Sequence, residues 1–216
     1  MRKITWFLFI ISVWLLTSCA ANYRALMPET LTYPNSYSTE DLEMEYDYYI
    51  LQTRLNHRKY GRKALDNNLL FVALKLRNNS EVQLKLNEDY FITDKDGEVL
   101  QTYTTDELFK LTKQNAGSYA AYFGICAYAF SEDAYINEEP FPIAPVLGGG
   151  IPGVVNIAVA AKANLAYKNE LEKYDLTKKI IEPGETVFGV VGVKGRGHGS
   201  LRFIRMNEAG VTKIGN

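Results

Sequence analysis

The stretch LLFVALKLRNNS, residues 69–80, is a run of apolar and branched residues that ends at the turn signal Asn78-Asn79-Ser80. Such a run predicts a strand that is buried in a sheet. The neighbouring segments alternate apolar and polar residues, in LEMEYDYYI (residues 42–50) before it and VQLKL (residues 82–86) after it. A period of two predicts half-buried strands.

The remaining segments with strand-like sequence are separated by turn-forming residues. In YFITDKDGEVL (residues 90–100), Asp96-Gly97 supplies the positive φ angles of a tight hairpin. Two apolar segments, IIEPGETVFGVVGVKG (residues 180–195) and SLRFIRM (residues 200–206), are separated by the glycine-rich GRGHG. Several short strands with turn signals between them predict an antiparallel β-sandwich, so the fold class is mainly β.

These segments resemble small immunoglobulin-like domains of secreted and lipid-anchored bacterial proteins. The likeness rests on the strand that ends in a polar turn, on the Asp-Gly hairpin, and on the Pro-Gly-Glu corner in IEPGETVFGVV. It covers about half of the mature chain and implies an immunoglobulin-like sandwich that serves as a binding or structural module without a catalytic site.

A helical, glycine-rich insertion of residues 105–180 interrupts this predicted sandwich. Thr104 and Glu107 have the spacing of a capping box, which predicts a helix over LFKLTKQ. The uncharged segment Tyr119–Phe130 predicts a buried helix, and a further helix is predicted through AKANLAYKNELEKYDL (residues 161–176). The basic, polar run NHRKYGRKALDNN, residues 56–68, is interpreted as a loop.

The N-terminus carries an export signal. Arg2 and Lys3 precede the apolar run Ile4–Leu16, which predicts a secretory signal peptide over residues 1–18. The following LTSC resembles the lipobox of bacterial lipoproteins. That resemblance implies that Cys19 becomes the acylated N-terminus, with a diacylglyceryl group and a fatty acyl chain such as palmitate. Because one acyl chain holds only marginally, stable attachment needs two or three.

The residues after the lipobox indicate where the anchored protein resides. Ala20 in place of Asp implies the outer membrane by the family's sorting rule, and the default orientation faces the periplasm. Residues 19–40 hold Pro28 and Pro34 among polar residues and are predicted to be a tether of about 25 Å. The folded part is then residues 41–216.

The stretch PIAPVLGGGIPGVVNIAVAAKAN, residues 142–164, contains a literal G-x-G-x-x-G. A dinucleotide site is excluded because Pro142 and Pro145 break the strand it needs, and Val154 stands where a phosphate-binding loop requires lysine. Contact with a membrane stays open. The favoured interpretation is a tight bend followed by a helix whose small residues pack inward on the sheet: Ala158, Ala160, Ala161 and Ala163.

Catalytic chemistry has little support. The two histidines, His57 and His198, lack ligand spacing, so we predict no metal site, cofactor or catalytic residue. The net charge of −1 does not suggest a nucleic-acid surface. With Cys19 acylated, Cys126 has no partner within the chain for a disulfide and is interpreted as a buried small hydrophobe.

Six of the fifteen tyrosines fall between Tyr33 and Tyr60. Tyrosines suit a sugar-binding or protein interface, or else a half-buried strand with solvated hydroxyls. The sequence therefore predicts a non-enzymatic envelope lipoprotein that is a binding or assembly module for a protein partner. The alternative is a carrier or sensor of an apolar ligand or lipid held between insertion and sheet. The candidate interaction surface comprises Tyr46, Tyr48, Tyr49, Gly148, Gly149, Gly150 and Gly153.

Overall fold

The computed structural model describes residues 23–51, 57–115, 135–136, 139–140, 144–195 and 199–206. It divides the chain into two compact units: unit 1 comprises Met1–Tyr23 and Gln114–Leu165, and unit 2 comprises Arg24–Lys113 and Ala166–Asn216. Within the described part, the fold is mixed α/β with antiparallel sheets and three α-helices. The signal peptide and Cys19 lie outside the described residues.

The elements follow one another in this order: β1 (Asn35–Ser38), β2 (Leu42–Tyr48), α1 (Arg58–Asp66), β3 (Leu69–Asn78), β4 (Leu84–Lys85), β5 (Tyr90–Thr93), β6 (Thr102–Tyr103), α2 (Thr105–Thr112), β7 (Tyr135–Ile136), β8 (Glu139–Pro140), α3 (Ala144–Lys173), β9 (Ile180–Ile181), β10 (Thr186–Lys194) and β11 (Arg202–Arg205). Short 3-10 turns occupy Pro28–Thr30 and Leu176–Lys178.

The main sheet has five strands in the order β1-β2-β3-β10-β6, and every neighbouring pair is antiparallel. The pairs β4–β9, β5–β11 and β7–β8 form three two-stranded sheets. The sequence prediction of antiparallel strands at β2, β3, β5, β10 and β11 is confirmed.

Strand β3 is buried on both faces, which explains its nearly continuous apolar sequence. One face, including Leu74, belongs to a hydrophobic core that also contains side chains of β4, β5, β9 and β11. The opposite face carries Phe71 and Ala73, both 0% exposed. Helix α1 contacts β3 directly. A Cβ at Gly192 of β10 would meet Leu108 of α2 at 2.2 Å, so α2 also lies close to the sheet.

Both predicted turns are confirmed. At the hairpin, Gly97 has φ 87°, and its amide donates to the Asp94 carbonyl over 3.2 Å. At the Pro-Gly-Glu corner, Gly184 has φ 76°, and the Glu185 amide donates to Glu182 over 2.9 Å. Glycine is needed at both positions because a positive φ is costly for residues with a side chain.

The helix predictions have different outcomes. The capping box of α2 is confirmed, because the Thr104 hydroxyl accepts from the Glu107 amide and the Glu107 carboxylate accepts from the Thr104 amide. The loop predicted over residues 56–68 is wrong, since most of it forms α1. Tyr60 and Ala64, four residues apart, give that helix a buried face among its cations.

Part of the predicted tether belongs to regular structure. Residues 35–38 form β1, which pairs with β2 along the edge of the main sheet, and Tyr37 faces Met44 in that register. The polar composition that suggested a coil is also what an exposed edge strand carries. Residues 19–22 of the predicted tether lie outside the described part of the chain.

The tight bend predicted at Gly148–Gly150 is wrong. The helical backbone of α3 runs from Ala144 through the glycines and Pro152 to Lys173. Glycine can adopt helical angles at a cost of about 1 kcal/mol each, so three glycines weaken a helix without excluding it. None of the helices in the described ranges is both long enough and apolar enough to cross a membrane.

Candidate interaction surface

The tyrosines assigned to the candidate surface lie at the end of β2 and just beyond it. Tyr46 is 2% exposed, and its hydroxyl accepts a hydrogen bond of 2.9 Å from the Leu201 amide. Tyr48 is half-buried, and its hydroxyl donates to the Gly199 carbonyl. Burial, helped by Tyr46, raises the pKa of Tyr48. Tyr46 is therefore a core residue, while Tyr48 and Tyr49 retain exposed surface.

The three rings form one aromatic cluster. The ring centroids of Tyr46 and Tyr48 are 5.3 Å apart in an edge-on arrangement, and those of Tyr48 and Tyr49 are 6.4 Å apart. Tyr49 has φ 55°, a left-handed conformation that turns the chain at the end of β2. Ile50 and Leu51, which follow, are both 0% exposed. The cluster closes the core at this end of unit 2 and holds the chain next to Gly199.

The N-terminal segment of unit 2 is fixed to the last turns of α3. The Glu170 carboxylate accepts from the Leu26 amide over 2.5 Å and from the Met27 amide over 3.3 Å. The Leu26 side chain is 0% exposed, so this part of the chain is packed as well as hydrogen-bonded. Hydrogen bonds to a charged acceptor contribute about 1.5–3 kcal/mol.

A second set of contacts continues this attachment. The Tyr174 hydroxyl donates to the Glu29 carboxylate over 2.9 Å and accepts from the Lys173 ammonium over 2.7 Å. The Lys173 ammonium also lies 4.4 Å from the Tyr174 ring centroid. The structure thus fixes the chain to unit 2 from Leu26 onward.

A buried polar pair joins α2 to the part of α3 that lies in unit 2. The hydroxyls of Thr112 and Tyr167 are 2.8 Å apart, and Thr112 donates to the Leu108 carbonyl over 2.5 Å. Burial raises the pKa of Tyr167, whose ring centroid is 4.4 Å from that of Tyr60. Because Thr112 already donates to Leu108, the geometry makes Tyr167 the donor to Thr112.

The two ends of the insertion in unit 1 are also joined. The Gln114 amide donates to the Asn164 side-chain oxygen over 2.8 Å, and the Asn164 side-chain nitrogen donates to the Gln114 carbonyl over 2.8 Å. These reciprocal bonds, here called the insertion base, resemble one rung of an antiparallel ladder. The segment between Gln114 and Asn164 therefore begins and ends at the same place.

The four glycines of the candidate surface lie in the helical backbone of α3 in unit 1, whereas its three tyrosines belong to unit 2. Further along α3, the small residues divide between two faces. Ala160 and Ala163 are buried, while Ala158 and Ala161 are exposed. Two of the four small residues are therefore buried, and their packing on the sheet stays a prediction.

The described residues contain no group of three or more His, Cys, Asp or Glu side chains that could hold a metal ion. His57 is 3% exposed and is hydrogen-bonded to the main chain of Arg24, and burial lowers its pKa. Three other residues considered in the sequence, namely His198, Cys19 and Cys126, lie outside the described part of the chain.

The core of unit 2 contains a small cavity. A cavity of ≈ 10 Å³ lies among Leu84, Tyr90, Ile181 and Phe203. A cavity of this size has room for about one water molecule, so it is too small for an apolar ligand. The segment Tyr119–Phe130, predicted to be a buried helix of the insertion, lies outside the described ranges.

Sequence reasoning missed the residues that fix the N-terminal segment and the insertion. Glu170 contacts Leu26, which is 144 residues away, and Asn164 contacts Gln114, which is 50 residues away. Asn164 gave one usable signal, because asparagine inside a helix of apolar residues is unfavourable and suggests a specific hydrogen bond. Glu170 gave none, since glutamate is common on helix surfaces.

Comparison of the chain with protein-family models, with curated proteins and with solved structures finds no match. Its function is therefore inferred from its residues and their geometry.

Proposed function

We propose that this chain is a non-enzymatic lipoprotein of the bacterial cell envelope that serves as a binding or assembly module for a protein partner. In this proposal, lipid on Cys19 anchors the protein in the outer membrane, and the folded part faces the periplasm. The part of the insertion that lies in unit 1, Gln114–Leu165, supplies the contact with the partner. The signal-peptide pattern and the lipobox LTSC support the anchor.

The main support for a binding role of the insertion is the composition of the unit 2 core. Among the residues that the structure describes, the members of that core cluster, from Leu42 to Phe203, come from outside Gln114–Leu165. The described residues of Gln114–Leu165 are therefore not needed to fill this core, yet the insertion base fixes both ends of the segment. A long insertion on a rigid scaffold is a common way to present a binding surface.

The proposal includes a finer fold for unit 2, an immunoglobulin-like β-sandwich. It is supported by a shared core, in which Leu74 of the main sheet packs in one cluster with Leu84, Ile92 and Phe203 of the two small sheets. Two antiparallel layers around one core are what a sandwich requires. Helices α1 and α2, on the other side of β3, are additions to that pattern.

The contact with the proposed protein partner can be tested on the exposed face of α3 within unit 1. Leu165 is 61% exposed, and Ala158 and Ala161 are exposed on the same helix. Of the tyrosines first considered, Tyr46 is buried and therefore cannot contribute an accessible ring.

Site-specific photo-crosslinking in native envelopes tests this proposal. A photoreactive amino acid replaces Leu165 in the full chain, and a matched variant carries it at Val82, which is 52% exposed in unit 2. We expect one protein to be crosslinked at 165 and to co-purify in a fixed ratio, and no crosslink to it at 82.

A second pair of variants tests whether the insertion base matters. Asn164→Ala removes the two bonds to Gln114, whereas Asn169→Ala changes an exposed residue on the same helix. We expect the crosslink to weaken in the first variant and to persist in the second. A lipid or small apolar compound crosslinked at 165 would support the carrier alternative. Equal crosslinking from 165 and 82, or none from 165, would refute the proposed contact.

A further inference from the structure

Helix α1 presents a strongly basic surface. Within nine residues it carries Arg58, Lys59, Arg62 and Lys63, and Asp66 is its one acidic residue. Arg58 and Arg62 are exposed, and no ion pair among the residues that the structure describes includes either of them. The face opposite these cations packs on the protein through Tyr60 and Ala64. The helix is therefore held rigidly with its cations outward.

Two further cations adjoin this helix. The Lys63 ammonium donates to the Lys113 carbonyl, which brings the end of α2 against α1. Arg24 is exposed, and its main chain is hydrogen-bonded to His57, the residue immediately before α1. The α1 basic patch is defined as Arg24, Arg58, Lys59, Arg62, Lys63 and Lys113.

Three acidic residues of the described part lie on α1 itself or on the segments attached to unit 2 beside Arg24. Asp66 lies at the C-terminal end of α1. Glu170 is engaged by the amides of Leu26 and Met27, and Glu29 by the Tyr174 hydroxyl. The six cations of the patch outnumber these three carboxylates, so the charge there is positive, although the whole chain has a net charge of −1.

The patch lies close in the chain to the proposed lipid anchor. Arg24 follows Cys19 by five positions in the sequence. Five residues reach at most about 18 Å even when fully extended. If Cys19 is acylated, the chain beside α1 must therefore lie within about 20 Å of the membrane surface. A tether this short lets the cations approach the surface to within the Debye length of about 8–10 Å, where they interact with anionic headgroups.

We infer that the α1 basic patch docks on anionic phospholipid headgroups of the leaflet that holds the Cys19 lipid. This inference rests on the proposed lipoprotein anchor and adds a defined orientation to it. Lipid attachment commonly combines with a basic cluster in this way. Each Lys or Arg near such a surface increases binding about fivefold, and salt weakens the attraction.

A single tryptophan reports the docking. The chain has two tryptophans, Trp6 and Trp14, and both precede Cys19, so the mature lipoprotein has none. Asp66→Trp places a reporter at the end of α1, and Asp96→Trp places a control at the exposed β-hairpin between β5 and β6. The acylated full chains are reconstituted in vesicles that contain a headgroup-labelled quencher lipid. The vesicles are phosphatidylcholine alone, or phosphatidylcholine with about one third phosphatidylglycerol.

The charge dependence is tested in the Asp66→Trp background. Arg58→Gln with Arg62→Gln removes two patch cations, and Lys179→Gln with Arg202→Gln removes two exposed cations outside the patch. We expect strong quenching with phosphatidylglycerol that is lost in about 0.5 M salt, where screening is short-ranged. The ratio of docked to undocked protein should fall about 30-fold when Arg58 and Arg62 are replaced, roughly fivefold per cation. It should change little when Lys179 and Arg202 are replaced.

Three results would overturn the inference. Quenching that is equal in the two kinds of vesicle would mean that the tether alone sets the position of α1. Quenching that survives the loss of Arg58 and Arg62 would exclude the patch. Absence of quenching at position 66 would also exclude docking of the patch on the lipid. This is the result expected if the patch instead binds an acidic protein.

Attachment through the lipid anchor is measured separately, by flotation of the protein with the vesicles. Loss of flotation counts against the proposed lipoprotein. The docking inference is then decided by adding the same chain from solution to vesicles with and without phosphatidylglycerol. Binding in both, or in neither, would overturn it.

Discussion

The two faces of β3 are built in different ways. The face that carries Leu74 contacts a core made of apolar side chains from the two small sheets. The face that carries Phe71 is covered by helices whose contacts include buried hydroxyls, as in the pair Thr112 and Tyr167. An apolar face needs only the correct alternation of residues, whereas the helical face needs specific polar partners from distant parts of the chain.

The largest effect is expected from removing one large side chain on each face. Phe71→Ala should lower the free energy of unfolding by about 4 kcal/mol and Leu74→Ala by about 3 kcal/mol, because both residues are 0% exposed. Urea denaturation of the two variants measures this. A cost below about 1 kcal/mol for Phe71→Ala would mean that the helices cover the sheet only loosely.

Two glycines of β10 offer a matched comparison of the faces. A Cβ at Gly189 would meet the Leu176 side chain at 2.3 Å and also the Tyr174 carbonyl oxygen at 2.6 Å, whereas a Cβ at Gly192 would meet the Leu108 side chain, from 2.2 Å. Side chains can move more easily than main chain. We expect Gly189→Ala to cost about 3 kcal/mol and Gly192→Ala about 1–2 kcal/mol. The reverse order in thermal denaturation would contradict the packing described for β10.

Asp175 makes the helical side sensitive to acid. Burial raises its pKa, but hydrogen bonds from Thr105, Thr177 and Lys178 outweigh burial and leave the pKa below its usual value. The stability it adds is therefore present above the unfolded-state pKa of about 3.9 and is lost as pH falls through the lower folded-state pKa.

Asp175→Asn measures that contribution directly. The variant should be less stable than the wild type by about 2 kcal/mol near pH 7, and the difference should shrink below about pH 4. The test is denaturant unfolding from pH 7 to pH 3. A difference that stays constant with pH would show that the charge of Asp175 does not contribute.

The smallest effect is expected for Tyr167→Phe. The substitution removes the hydroxyl that donates to Thr112, but Thr112 keeps its bond to the Leu108 carbonyl. We expect a loss of about 1 kcal/mol, the usual contribution of one hydrogen bond. Tyr103→Phe, at a half-buried residue, is the control and should change stability by less than about 0.5 kcal/mol. Equal effects would remove the distinction between the two faces.

Much of the sheet could be predicted because its information is local. The run Leu69–Asn78, the alternation in β2 and the turns at Gly97 and Gly184 each specify structure within a few residues. The same alternation places Tyr46 beside Leu42 and Met44 on the buried face, so its assignment to an exposed surface disregarded the pattern.

The helical side could be predicted only in part. The capping box at Thr104 predicts α2, but α1 has few apolar residues, so its sequence predicts a loop. Its fold depends on Tyr60 meeting the Tyr167 ring, a contact between segments far apart in the chain. Glu170 and Asn164 were missed for the same reason.

Acylation at Cys19 is the claim on which both the proposed function and the orientation of α1 depend. Mass spectrometry of the protein extracted from native membranes tests it directly, because trypsin releases the N-terminal peptide Cys19–Arg24 of the mature chain. We predict that this peptide begins at Cys19 and carries the mass of a diacylglyceryl group and an amide-linked fatty acid. An unmodified Cys19, or a mature chain that begins at another residue, would contradict the account.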